Sequence, residues 1–278
     1  MDPVRKYTVD PEDPRAPSES LWNELREDER RWIVAQLPSE FPPSEASPPE
    51  GDTHYAHVRS TRDALRGYFR RIRRKVYIGS NLPIYYPGER MFSVDALAVL
   101  DVEDGPRNSW VVSAEGRGLD LALEIHWLGN RAKDFERNVV MFAKLGIPEY
   151  FVFDARHLKL RGFRLPEGKG AQYQPVVPQG ERYPSAVLGL DLGIEGPRLR
   201  FYAGSAVLPD ADDLIARLDG ALSEAQARAE EEARRAEEEA RRAEEEARRA
   251  EEEARRREEA ERRLAAALAE LERAKRGS

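Results

Sequence analysis

Between Ser93 and Asp154 the chain alternates short apolar runs with one helical segment, and its sharpest pattern is Leu119–Trp127. Leu119, Leu121, Leu123, Ile125 and Trp127 fall on one side of a strand with side-chain period two; Asp120, Ala122, Glu124 and His126 fall on the other. The apolar side predicts a surface packed on a core. The opposite side brings a carboxylate and an imidazole together, which a merely structural strand does not require. Asp95 opens a second apolar run, Asp95–Val102, which predicts a neighbouring strand. Acids from two adjoining strands could hold a divalent metal. The bland alternative is a pair of ordinary surface-strand charges.

The rest of the chain supplies a frame for that pair. Met1–Glu19 is polar and Pro-rich and reads as loose, and Ser20–Leu37 reads as an amphipathic helix or helix pair ended by Pro38. PPSEASPPEG, Pro42–Gly51, reads as a linker that sets residues 1–51 apart as an N-terminal appendage. Thr53–Lys75 predicts a helix with an apolar stripe of Tyr55, Val58, Leu65, Tyr68, Phe69 and Ile72. Arg66, Arg70, Arg71, Arg73, Arg74 and Lys75 crowd its end, either as cations matched to the helix dipole or as a phosphate-contacting patch. His54 and His57 sit one turn apart, with no other ligand-rich spacing nearby.

Val76–Tyr86 and Asp95–Val102 read as strands joined by the turn Pro87–Arg90, and Trp110–Ala114 as a short third strand. Lys133–Leu145 predicts a helix with Phe135, Val139, Phe142 and Ala143 inward, a Gly146 αL cap and Pro148 beyond. Glu149–Asp154 reads as a buried strand, so this β-α-β order favours a parallel pair. Leu158–Phe163, Tyr173–Val177 and Leu199–Tyr202 complete a mixed sheet. The expected main domain, residues 52–207, is therefore α/β, a mixed central sheet flanked by helices.

From residue 208 the pattern changes. Leu208–Gly220 reads as a short helix, and Ala229–Arg256 repeats AEEEARR every seven residues. Ala229, Ala233, Ala236, Ala240, Ala243, Ala247, Ala250 and Ala254 keep a/d phase, and Leu264, Leu268 and Leu271 resume it after Arg257 and Glu261. Pairs such as Glu230–Arg234 add roughly 0.2–0.5 kcal/mol each. An alanine seam buries little, so residues 208–278 read as a long helix forming a weak coiled coil for self-association, or as a solitary charge-laced spacer.

Composition narrows the function classes. Charged residues make up 35% of the 278, concentrated in the tail, and a net charge of −7 argues against broad non-specific nucleic-acid binding. Cysteine is absent, which excludes a disulfide framework and a thiolate metal site. No apolar run approaches the ~20 residues that span a bilayer, and the first residues lack an apolar signal core. The expectation is a soluble cytoplasmic protein with no membrane partner.

IGSNLPIYYPG, then VDALAV, LDLALEIHWLG, KDFERNVVMFAKLGIPEYFVFD and SAVLGLDL follow one another within a stretch of about 150 residues that runs from about Asp52 to Tyr202. In order and spacing they resemble the Uma-two family of endonucleases, a branch of the PD-(D/E)XK restriction-endonuclease-like superfamily. The resemblance implies a restriction-endonuclease-like fold, a divalent cofactor (Mg²⁺) and DNA as substrate. It assigns Asp95 and Glu124 as metal-binding acids. Val94 stands where the family has Pro. His126 occupies the superfamily's lysine position, and Asn138 the helix position at which the family often keeps a lysine. The catalytic set is then Asp95, Glu124, His126 and Lys133, with Lys133 or Arg131 as the substitute cation, or His126 as general base. Asp134 reads as a helix N-terminal charge or a ligand, and Asp120 is equally ambiguous.

Two functions follow. One is a Mg²⁺-dependent endonuclease that hydrolyses DNA phosphodiester bonds and self-associates through its tail. The other is a catalytically inactive nuclease fold that serves as an interaction platform through a C-terminal coiled coil.

Overall fold

The computed structural model describes residues 7–40, 51–129, 131–166 and 172–276, with side chains to residue 269. Two compact units divide the chain, residues 1–214 and 215–278. The linker expected at Pro42–Gly51 lies almost wholly outside the described residues, as does the side chain of Leu271.

Helices α1 (Glu19–Glu24) and α2 (Glu27–Gln36) are the expected pair. Of the stretch before them, residues 7–18 are not loose. Ala16 is buried and bridges Pro87, Arg15 bridges Arg90, and the Tyr7 hydroxyl donates to the Arg15 carbonyl. Apolar contact of Ala16 and Leu37 with Tyr85, Met91 and Val111 outweighs the polar composition. Helix α3 (Gly51–Arg71) then buries Val58, Ala64, Leu65 and Phe69, while Tyr55 and Ile72 from its expected stripe stay exposed.

Strands β1 (Val76–Gly79), β2 (Ile84–Tyr85), β3 (Ala96–Leu100) and β4 (Trp110–Val111) follow. Val76–Tyr86 is thus two strands, broken where Asn81 adopts a positive φ. Trp110–Ala114 is mostly not a strand: α4 (Val112–Glu115) takes over and closes on Gly116 in the αL conformation. After β5 (Leu121–His126) the chain winds through a π-helical turn, Lys133–Arg137, into α5 (Asn138–Lys144). Gly146, at φ +75°, supplies the left-handed residue after α5 that Gly tolerates without steric cost. Then come β6 (Glu149–Asp154), β7 (Lys159–Arg164), β8 (Gln174–Pro175), β9 (Tyr183–Ser185), β10 (Leu190–Glu195), β11 (Arg198–Ala203) and β12 (Ala206–Val207).

The main sheet is mixed, in the order β1-β3-β5-β6-β7-β8, with β5 and β6 parallel and their neighbours antiparallel. Leu199–Tyr202 does not join it. That strand belongs to a second, four-stranded antiparallel sheet, β12-β11-β10-β9. The second sheet and α3 cover one face of the main sheet, over Ile78, Ala98, Leu121, Leu123, Ile125, Phe151 and Phe153. The π-turn, α5 and the β2-β4 pair cover the other, over Tyr77, Leu97, Val99, Ala122, Tyr150 and Val152. Strand β5 is therefore buried on both sides, and Leu119, just before it, packs with the second group rather than with Leu121.

The tail is one helix, α6 (Ala211–Arg276), in which the short helix expected at Leu208–Gly220 is absorbed. Glu-to-Arg pairs four residues apart line it, among them Glu252–Arg256 and Glu259–Arg263 at 2.8 and 2.7 Å. No helix among the described residues is long and apolar enough to cross a membrane.

Candidate active site

Ala96 pairs with Leu123 in the antiparallel ladder of β3 and β5. One step further along that register, Asp95 and Glu124 face each other, and there the side chains take over from backbone pairing. The Asp95 backbone N–H donates to Glu124 Oε2 at 3.2 Å, and the Ile125 N–H donates to Asp95 Oδ2 at 2.7 Å. Alternation along each strand puts Asp95, Glu124 and His126 on the face covered by the π-turn and α5.

Those covering elements reach down to the pair. Asn138, buried at the start of α5, donates from Nδ2 to Glu124 Oε1 at 3.0 Å. Asp134 Oδ2 lies 2.9 Å from His126 Nδ1, and the Tyr150 hydroxyl donates to the Asp134 carbonyl at 2.9 Å. The π-turn explains how one short segment serves both. The Asn138 N–H reaches back to the Lys133 carbonyl, and this wider winding aligns residues 134 and 138 toward the same strand. From α3, His54 Nε2 comes within 3.1 Å of Asp95 Oδ2.

The electrostatics follow from burial. Glu124 is 5% exposed. Desolvation, and next the charge of Asp95, push its carboxyl well above the ordinary value, with Lys133 working the other way. Burial likewise raises Asp134, opposed by its bond to His126. Asp154, at the end of β6, behaves oppositely. Burial alone would raise it, but hydrogen bonds from His157 and Arg131 hold it below the usual range.

The residues singled out in the sequence are thus partly gathered. Asp95, Glu124 and His126 are, and Lys133 stands close enough to influence Glu124. Arg131 is engaged elsewhere, with its Nε 3.4 Å from Asp154 and its guanidinium on the Phe135 ring. Asp120 is a fastener, accepting from the Leu100 N–H at 2.7 Å. His57 is a core histidine packed edge-on against Phe153, with burial lowering its pKa. In the basic cluster at the end of α3 and just beyond it, Arg66 pairs with Asp104 and Lys75 with Glu103, while Arg71 and Arg74 lie on the Tyr68 and Phe69 rings. Arg70 is about 24 Å along the helix from His54, too far to share a phosphate with the acids.

The donor set suits a small hard cation. Mg²⁺ takes one or two carboxylates and fills its remaining positions with water and substrate phosphate. Two carboxylates facing across a ladder destabilise one another unless a cation joins them. Among the described residues no group of three or more His, Cys, Asp and Glu side chains is arranged to hold a metal ion, so an all-protein cage is not what this site offers.

Comparison with known proteins agrees with this architecture. The family model Uma2, described as "Putative restriction endonuclease", matches residues 44–199, which carry every residue of the site. A search of curated proteins finds no match to the chain.

Proposed function

The chain belongs to the Uma2 family, and on that premise we propose that it is a Mg²⁺-dependent endonuclease that hydrolyses DNA phosphodiester bonds at Asp95 and Glu124. The observation that carries the reading is the cross-bonding of these acids. A strand pair needing only stability would place backbone groups or an apolar pair there, not two like charges with one of them buried.

Asp95 and Glu124 would hold the metal, which supplies Lewis acidity toward the phosphodiester and acidifies bound water. The chain's own groups divide the remaining work. Asn138 orients the Glu124 carboxylate as a neutral donor where the family often keeps a lysine. With His126 Nδ1 donating to Asp134, a neutral imidazole would present Nε2 as the lone pair that takes a proton from an attacking water. Lys133 supplies the positive charge that steadies the developing oxyanion. The C-terminal helix acts as a self-association segment through its alanine and leucine seam.

The test is incubation of the purified protein with supercoiled plasmid and Mg²⁺ or Mn²⁺. Nicking or cutting that vanishes in Asp95→Ala and Glu124→Ala, with folding retained, supports the reading. Absence of cleavage with every divalent metal would leave the fold as an interaction platform.

A further inference from the structure

Beside the acids, the structure gathers cations that the proposed chemistry leaves unused. We propose that Arg131 and Arg161 form a clamp for a DNA backbone phosphate flanking the bond to be cut; the inference rests on the nuclease reading for its choice of DNA.

The first support is placement. Glu124 pairs with Val152, and Val152 with Arg161, so Arg161 stands two strands from Glu124 on the same face of the sheet. Two strand spacings are about 10 Å, which at 3.4 Å of duplex axis per base pair corresponds to about three base pairs. His126 pairs with Asp154, and Asp154 with Lys159, which extends the cationic edge by one more residue.

The second is the way the two guanidinia are held. Phe135, 8% exposed, carries both: Arg131 at 4.1 Å and Arg161 at 5.5 Å from the ring centroid. The same ring packs edge-on against His126 at 6.0 Å. One aromatic side chain thereby fixes two permanent charges relative to the candidate catalytic imidazole.

The third is charge balance. Asp154 accepts from the Nε of Arg131 at 3.4 Å and also accepts from His157. Arg161 has no carboxylate partner among the described residues and is exposed. Two guanidinia gathered on one ring, of which only Arg131 meets a carboxylate, leave guanidinium N–H donors without a carboxylate partner among the described residues. Their planar donor forks match phosphate oxygens.

The experiment is fluorescence anisotropy of a labelled duplex DNA with the full-length protein in EDTA, titrated across sodium chloride concentrations. Arg161→Ala is the main variant because it breaks no ion pair; Arg161→Glu and Arg131→Ala accompany it, each checked for folding by circular dichroism. The expected result is a salt slope shallower by about one for Arg161→Ala, the loss of one phosphate contact. Arg161→Glu should weaken binding further, whereas Arg70→Ala on α3 should leave the slope unchanged. The clamp is overturned if wild-type protein does not bind the duplex, or if folded Arg161→Ala keeps the wild-type slope. It is overturned equally if Arg70→Ala lowers the slope as much, or if only single-stranded RNA shows the effect. Binding that depends on Arg161 without cleavage by any metal would keep the clamp and sink the nuclease reading. Cleavage undiminished in Arg161→Glu would do the reverse.

Discussion

Asp95 and Glu124 hold each other across the end of the β3–β5 ladder, the backbone of Asp95 bonding the Glu124 carboxylate while the Asp95 carboxylate bonds the residue after Glu124. This fixes two acids opposite one another at low exposure. A divalent cation between them would be worth several kcal/mol in transition-state charge stabilisation. Asp95→Asn and Glu124→Gln should therefore each lower the rate of plasmid nicking by on the order of 100-fold or more, with secondary structure unchanged by circular dichroism.

The buried acid also sets a pH signature for the metal-free protein. Because the folded pKa of Glu124 is raised, its protonated form is favoured on folding. The corresponding stability is present below the ordinary value near 4.3 and is lost as pH rises through the folded value. Glu124→Gln should thus gain stability over wild type as pH increases, in chelator, and Mg²⁺ should narrow the difference. Urea unfolding between pH 4 and 8 reads this directly; a difference that stays constant with pH would contradict it.

Asp154 has the opposite sign. Its lowered pKa contributes stability that is present above the ordinary carboxyl value near 3.9 and is lost as pH falls through the folded value. Asp154→Asn should flatten the acid limb of the stability profile, measured as urea midpoints from pH 2 to 6.

Among the described residues Asn138 is the only side chain that donates to Glu124, alongside the Asp95 backbone N–H. Asn138→Ala leaves a buried acceptor without that partner, which costs about 1–3 kcal/mol. Asn138→Asp sets a further carboxylate against Glu124 and should cost more at pH 8. Both follow from chemical denaturation of the metal-free protein.

How much of this was legible in the sequence depends on range. The period-two pattern around Glu124, the Gly146 cap and the AEEEARR repeat are local signals, and the strand, the helix end and the long helix all appear where they point. The Asp95–Glu124 juxtaposition was reachable because both strands were visible and their acids occupy matching ends. The contact of His54 with Asp95 was not, since nothing local links residues 41 positions apart. The π-turn was hidden as well: Lys133–Leu145 has a helical pattern, and one extra residue per turn leaves no mark on it. The second sheet eluded the reading because β9 and β12 are two or three residues long and carry no countable period. Both-sided burial of β5 depended on which elements fold over it, so the polar face of Glu124 and His126 reads as exposed until Asn138 and Phe135 are seen above it.

The tail carries its own expectation. Leu264 and Leu268 are exposed in the single chain and continue the alanine seam. If the helix pairs, each Leu→Ala change removes about 1–3 kcal/mol of burial per contact, so Leu264→Ala with Leu268→Ala should shift a concentration-dependent dimer to monomer in sedimentation equilibrium. A full-length protein that is monomeric throughout would identify α6 as a spacer.

The most direct measurement is a crystal of the full-length protein soaked in manganese, read by anomalous scattering. The account predicts one manganese ion bound by a carboxylate oxygen from each of Asp95 and Glu124. Anomalous signal absent there, with the two carboxylates holding only their protein hydrogen bonds, would contradict it.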